Sequence, residues 1–102
     1  MDNLILYAKA FSDLNRLNIL ALIHREKELC VCEISDTLKL SQPLVSRHLK
    51  QLKEANILDS HKDGKWIVYS IVSTPSKVLQ AYIEELKGLE TDLANIVVCT
   101  SR

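Results

Sequence analysis

Apolar positions recur at helical spacing from the start of the chain. Leu4, Ala8 and Phe11 mark a helix over residues 3–12, and Asp13 then caps a second helix with Leu17, Leu20 and Ile23 on one face. After the charged stretch 25–28, Ile34 and Leu38 mark a short third helix. Ser41 caps a fourth, with Pro43 in its first turn and Val45, Leu49 and Leu52 turned inward; only Lys39-Leu40-Ser41 connects these two helices. At Ile57 the period changes. Residues 57–62 and 65–72 read as strands flanking Asp63-Gly64, a dipeptide favoured by type I′ hairpin turns because both central residues need positive φ. Pro75 and Ser76 open a last helix, in which Val78, Leu79, Tyr82, Ile83, Leu86, Leu89, Leu93, Ile96 and Val97 recur every three or four residues. A stripe that wide is hard to bury in a monomer of 102 residues and predicts a subunit interface.

The pattern predicts a mainly α fold with a β-hairpin wing (α+β): four helices, two strands and a fifth helix in one domain, 1–102. Helix, tight turn, amphipathic helix and basic hairpin form the winged helix-turn-helix layout, with the helix-turn-helix at about 31–54 and the wing at about 57–72. Composition agrees, since 47% hydrophobic and 25% charged residues are ordinary for a globular chain. No apolar run approaches the roughly 20 residues of a membrane helix, and Met1-Asp2-Asn3 lacks the basic flank of a signal peptide, so a soluble, cytoplasmic protein is expected. Two glycines in all leave no phosphate-cradling loop, and no Cys-x2-Cys motif is present, which argues against an enzyme.

Thirteen basic residues balance thirteen acidic ones, yet residues 39–65 carry six Lys and Arg against three Asp and Glu, while 76–98 carry two against four. A local field of this kind steers a polyanion even when the total is zero. With Val45, Leu49 and Leu52 inward, the fourth helix presents Gln42, Ser46, Arg47, Lys50 and Lys53, a mixture suited to base edges and phosphates, although a solvated basic face would look the same. Ser41 and His48 join this expected DNA-binding set, and Lys62 and Lys65 flank the hairpin tip as phosphate contacts.

Three segments carry a resemblance: 10–17 (Ala-Phe-Ser-Asp-Leu-Asn-Arg-Leu), 41–49 (Ser-Gln-Pro-Leu-Val-Ser-Arg-His-Leu) and 63–70 (Asp-Gly-Lys-Trp-Ile-Val-Tyr-Ser). Together, in order and at family spacing, they resemble the ArsR/SmtB metal-responsive transcriptional repressors. The resemblance implies a homodimer on an inverted-repeat operator, released by an inducer. It also implies that the terminal helices, about 3–12 and 76–98, form the dimer interface through Leu4, Val78, Tyr82, Leu86, Leu89 and Leu93. Lys39 stands where such proteins commonly have glycine, and Leu14 where proline is common.

Cys30 and Cys32 lie at the start of the third helix. Cys-x-Cys makes a strained disulfide, whereas thiolates suit soft ions. On a regular helix residues i and i+2 point about 200° apart, so one ion reaches both only where the backbone is unwound or bent. Two small buried hydrophobic cysteines are the alternative. Within the family, Leu29-Cys30-Val31-Cys32-Glu33-Ile34 resembles the cysteine box of arsenite and antimonite sensors and that of cadmium and lead sensors. Ser35 replaces the third cysteine of the arsenical box, and residues 1–29 contain none of the further cysteines that cadmium and lead sensors use, so As(III) or Sb(III) is the expected inducer. Solvent, a small thiol or Cys99 would supply a third donor. The zinc-sensing pattern on the last helix is absent, because 76–102 contains no histidine. Two alternatives stay open: a Cd(II)- or Pb(II)-responsive repressor, and a thiol redox or sulfide sensor with a disulfide at Cys99.

Overall fold

Five consecutive residues of the second helix, Ile19 to Ile23, are buried at 0–1% exposure, and the other elements are laid around them. The computed structural model describes residues 2–96. Among these, α1 (Asp2–Ala10), α2 (Leu14–Glu26), β1 (Glu28–Cys30), α3 (Val31–Leu38), α4 (Gln42–Glu54), β2 (Leu58–Asp63), β3 (Trp66–Ile71) and α5 (Lys77–Glu90) follow in order. A helix with one apolar stripe buries only that stripe. Here α2 is enclosed by α5, α3, β1 and β3, so burial extends beyond the Leu17–Leu20–Ile23 face read from the sequence.

Local chemistry starts each of three helices. Asp13 Oδ1 accepts the N–H of Asn15 at 2.8 Å and of Arg16 at 3.3 Å, Ser41 Oγ that of Leu44 at 3.3 Å, and Ser76 Oγ that of Leu79 at 3.2 Å. Each such cap is worth about 1 kcal/mol. α3 ends at Lys39, which adopts the left-handed conformation (φ 58°, ψ 43°) and aims its N–H at the Ser35 carbonyl. The sharp reversal into α4 follows.

The sheet has three strands where two were expected, in the order β1-β3-β2, all antiparallel. β1 pairs Leu29 with Tyr69 and Cys30 with Val68. The hairpin turn also differs from the expected Asp63-Gly64. Asp63 pairs with Trp66, so Gly64 and Lys65 are the central residues, and Gly64 alone of the two has positive φ (63°). That is the type II′ pattern, which needs glycine at the first central position.

The last helix stops at Glu90, short of the expected limit near 98. Arg25 of α2 donates to the carbonyl of Glu90, the last residue of the helix, at 3.1 Å, and to those of Leu93 and Ala94 in the segment that follows, at 3.2 and 2.7 Å. Leu86 is 3% exposed and belongs to the protomer's own core, with Leu89 and Leu93 packed partly against it. Leu86 is therefore not available to the expected subunit interface, whereas Leu89 and Leu93 stay partly exposed; periodicity shows how wide a stripe is but not what covers it. Leu4 (50%), Val78 (39%) and Tyr82 (38%) do face outward. Tyr82 stacks its ring on Phe11, centroids 3.7 Å apart, and so joins the outer faces of α1 and α5.

Candidate nucleic-acid interface and cysteine site

α4 separates its residues cleanly. Val45, Leu49 and Leu52 are fully buried, while Ser41, Gln42, Ser46, Arg47, Lys50 and Lys53 are exposed. Ser41 caps the helix with its oxygen lone pair and keeps its O–H as a donor. On the wing, Lys62 in β2 and Lys65 at the turn are exposed, and the Lys65 ammonium sits 5.5 Å from the Trp66 ring centroid. Lys53 Nζ donates to Ser60 Oγ at 2.7 Å, tying the end of α4 to β2. Helix and wing therefore form one basic surface.

His48, expected in the DNA-binding set, is buried at 5% exposure. It lies about 60° around the helix from Val45 and about 40° beyond Leu52, at the margin of the apolar face. Its Nδ1 stands 3.2 Å from Arg16 Nη1. Burial pushes its pKa below the ordinary 6.5, with the Arg16 and Arg47 charges acting in the same direction against Asp13 and Gln51.

The cysteines occupy a junction between strand and helix. Cys30 ends β1 and is also the N-cap of α3, in extended conformation (φ −92°, ψ 167°), so the bend that a shared ligand would need is already present. Its Sγ lies 3.2 Å from Cys32 Sγ, too far for a bond between them and close enough for one ligand. Both residues are buried, at 1% and 9%, yet they line an open pocket with Val31, Asp36, Gln42, Trp66 and Ile67. Cys30 is a free thiol and Cys32 is disulfide-bonded. Burial pushes the Cys30 thiol above its ordinary 9.0, and the Glu33 carboxylate, whose Oε1 accepts the Cys30 N–H at 3.1 Å, adds to the rise. Ser35 Oγ donates to the Cys32 carbonyl at 3.1 Å and is committed to the helix. Among the described residues no group of three or more His, Cys, Asp and Glu side chains is placed to hold a metal ion, and Cys99 lies outside them.

The family described as "Bacterial regulatory protein, arsR family" matches residues 13–60. The solved structure of HlyU from Vibrio cholerae superposes with a TM-score of 0.73 at 30% identity, covering 88% of this chain and 94% of that one. The chain belongs to the ArsR family. Its relatives include the arsenic resistance transcriptional regulator ArsR1 of Pseudomonas putida, 49% identical over 63 residues, or 62% of this chain and 49% of that protein. The cadmium resistance regulatory protein CadC of Listeria innocua is 45% identical over 65 residues, 64% of this chain and 55% of that protein. The chain thus spans about half the length of these curated relatives. ArsR-family proteins are DNA-binding transcriptional regulators, not enzymes. Among the described residues no helix is long and apolar enough to cross a membrane.

Sequence reasoning missed two features of this ArsR-family chain. Trp66 is drawn to the cysteines by the unforeseen pairing of β1 with β3, a contact distant in sequence that leaves no local signal, and Gln42 reaches the same pocket at the start of α4. Arg16 hydrogen-bonds to α1 and α4.

Proposed function

We propose that this chain is a homodimeric repressor that holds an inverted-repeat operator and releases it when As(III), or Sb(III), binds reduced Cys30 and Cys32. One observation carries the reading: the two sulfurs lie 3.2 Å apart in a pocket shared with Gln42 of α4 and with Trp66 and Ile67 of the wing. Two bonds of about 2.3 Å at a right angle place sulfurs about 3.3 Å apart, which fits one soft ion. A ligand there presses on both elements that face DNA. Release follows when the ligand binds the DNA-free arrangement better than the DNA-bound one.

The protonation state favours trivalent arsenic over a divalent ion. Cys30, held as a thiol, exchanges with a hydroxyl of arsenous acid: its S–H proton leaves with that hydroxyl as water while an As–S bond forms, and Cys32 does the same. No net proton is released. Cd(II) or Pb(II) must instead displace both thiol protons against a raised Cys30 pKa. The arsenic-resistance relative supports the same choice, and the cadmium-resistance relative keeps the divalent ions in the test. Cys99, a solvent hydroxide or a small thiol completes the ligand set.

On DNA, Gln42, Ser46 and Arg47 read base edges, while Ser41, Lys50, Lys62 and Lys65 hold phosphates. The second protomer covers the apolar outer face of α1 and α5 at Leu4, Val78 and Tyr82. The deciding experiment titrates arsenite into reduced protein bound to a duplex selected by the parent from a random library. A coupling of about 1–3 kcal/mol weakens that binding roughly 5- to 150-fold. Cys30→Ser and Cys32→Ser should bind the duplex and fail to release it, with Cys99→Ser close to the parent. Full inducibility of both mutants would reject the site. The disulfide on Cys32 favours a second reading, a thiol redox sensor using Cys99. In that case Cys99→Ser abolishes the response to mild oxidant and arsenite has no effect.

A further inference from the structure

Arg16 ties the end of α1 to the body of α4. Its Nε donates to the Ala10 carbonyl at 2.9 Å and its Nη2 to the Lys9 carbonyl at 2.8 Å, where α1 ends. Its Nη1 reaches α4, 2.9 Å from Gln51 Oε1 and 3.2 Å from His48 Nδ1. Arginine has only donors, so His48 Nδ1 must accept and the ring must be neutral, with its proton on Nε2. That Nε2 is buried with no hydrogen-bond partner among the described residues, so nothing else there fixes the ring. Asp13, 3.9 Å from Arg16 Nη1, is the acidic group that faces the pair from the start of α2; Arg47 adds a second cation from α4. Lys9 and Glu54 line the groove alongside.

We propose that Arg16 is a positioning residue for operator reading: through neutral His48 and Gln51 it latches the recognition helix α4 to the end of α1, and protonation of His48 opens the latch. A protonated ring loses its acceptor and sets a second cation against the guanidinium, with Asp13 as the opposing charge. In the dimer proposed above α1 lies at the subunit interface, so the latch sets the spacing of the two recognition helices on an inverted repeat. Phosphate contacts on the exposed lysines do not depend on it. Burial and the flanking arginines hold His48 neutral at pH 7, so opening belongs to acid solution, below 6.5.

The test compares binding to the selected duplex with binding to a scrambled duplex of equal length from pH 8 to pH 5, with helicity and melting recorded for every variant. Arg16→Lys keeps the charge but not the planar fork, and should lose at least about tenfold in preference for the selected duplex, the worth of one base pair of recognition. Its binding to scrambled DNA should stay at the parent level. In His48→Asn, Oδ1 replaces the Nδ1 acceptor without a titrating ring; selectivity should persist at pH 8, and the acid loss seen in the parent should disappear. A merely structural role lowers melting temperature and leaves selectivity and its pH profile alone. Parent-like selectivity in folded Arg16→Lys, or superimposable pH profiles for parent and His48→Asn, would overturn the proposal. If Arg16→Lys does not fold, the two pH profiles decide. No inducer is added, so the outcome is independent of the cysteine reading.

Discussion

Lys39 holds a conformation that an L-residue adopts at a cost. With φ at 58° and ψ at 43°, its Cβ crowds the backbone, and a left-handed residue of this kind costs roughly 1–2 kcal/mol. Glycine loses that strain but gains freedom in the unfolded chain. Lys39→Gly is therefore expected to raise unfolding stability by about 0.5–1 kcal/mol, read as a higher denaturant midpoint at unchanged slope. Asp13 sets a pH window at the same scale. Burial raises its pKa, but the N–H groups of Arg16 and Asn15 and the charges of Arg16 and His48 outweigh that, and the net value falls below 3.8. A depressed carboxyl stabilises the folded state above its unfolded pKa and loses that contribution as pH falls through the folded one. Asp13→Ala should accordingly cost about 1 kcal/mol at pH 7 and progressively less below pH 4. The Asp13 and Ser41 caps were legible in the sequence because a cap is chosen by its nearest neighbours. The burial of His48 was not legible, since it stands at the margin of the apolar face and its residue type suggests a surface role.

α5 shows what periodicity resolves and what it leaves mixed. Leu79 and Leu86 point into the protomer, Val78 and Tyr82 point out, and all four recur within one stripe. Substitutions should divide along that line. Leu86→Asp places a charge in the core and should unfold the protomer, a loss of at least about 3 kcal/mol. Tyr82→Glu should leave circular dichroism intact and shift sedimentation toward the monomer; a dimer that survives it would place the interface elsewhere. Helix existence was readable throughout from apolar spacing and caps. The strand β1 was not, because three residues carry too little alternation to declare a strand, and Glu28–Cys30 becomes one only by pairing with β3 some forty residues later.

At the scale of the whole molecule, the basic surface and the cysteine pocket are adjacent, and Gln42 belongs to both. The cysteine pair itself was visible in the sequence as soft donors, and its setting was not, since β1, α3, α4 and β3 meet there only in the folded chain. The proposed chemistry has a clear pH signature. Between pH 6.5 and 8 the arsenite concentration for half-release should stay nearly constant, because the thiol protons leave as water. Any response to Cd(II) should steepen with pH, up to about a hundredfold in apparent affinity per unit when two protons are displaced. Equal pH dependence for both ions, measured by titration of the duplex complex, would contradict the assignment. Trp66 brings a further consequence. It is the only tryptophan in the chain, and its indole forms part of the wall around Cys30 and Cys32. All indole emission from the protein therefore originates beside the cysteine pocket and on the wing strand, so one spectrum of the unlabelled protein would report any ligand taken up by the sulfurs, and a second, with DNA added, would report what the wing does in response.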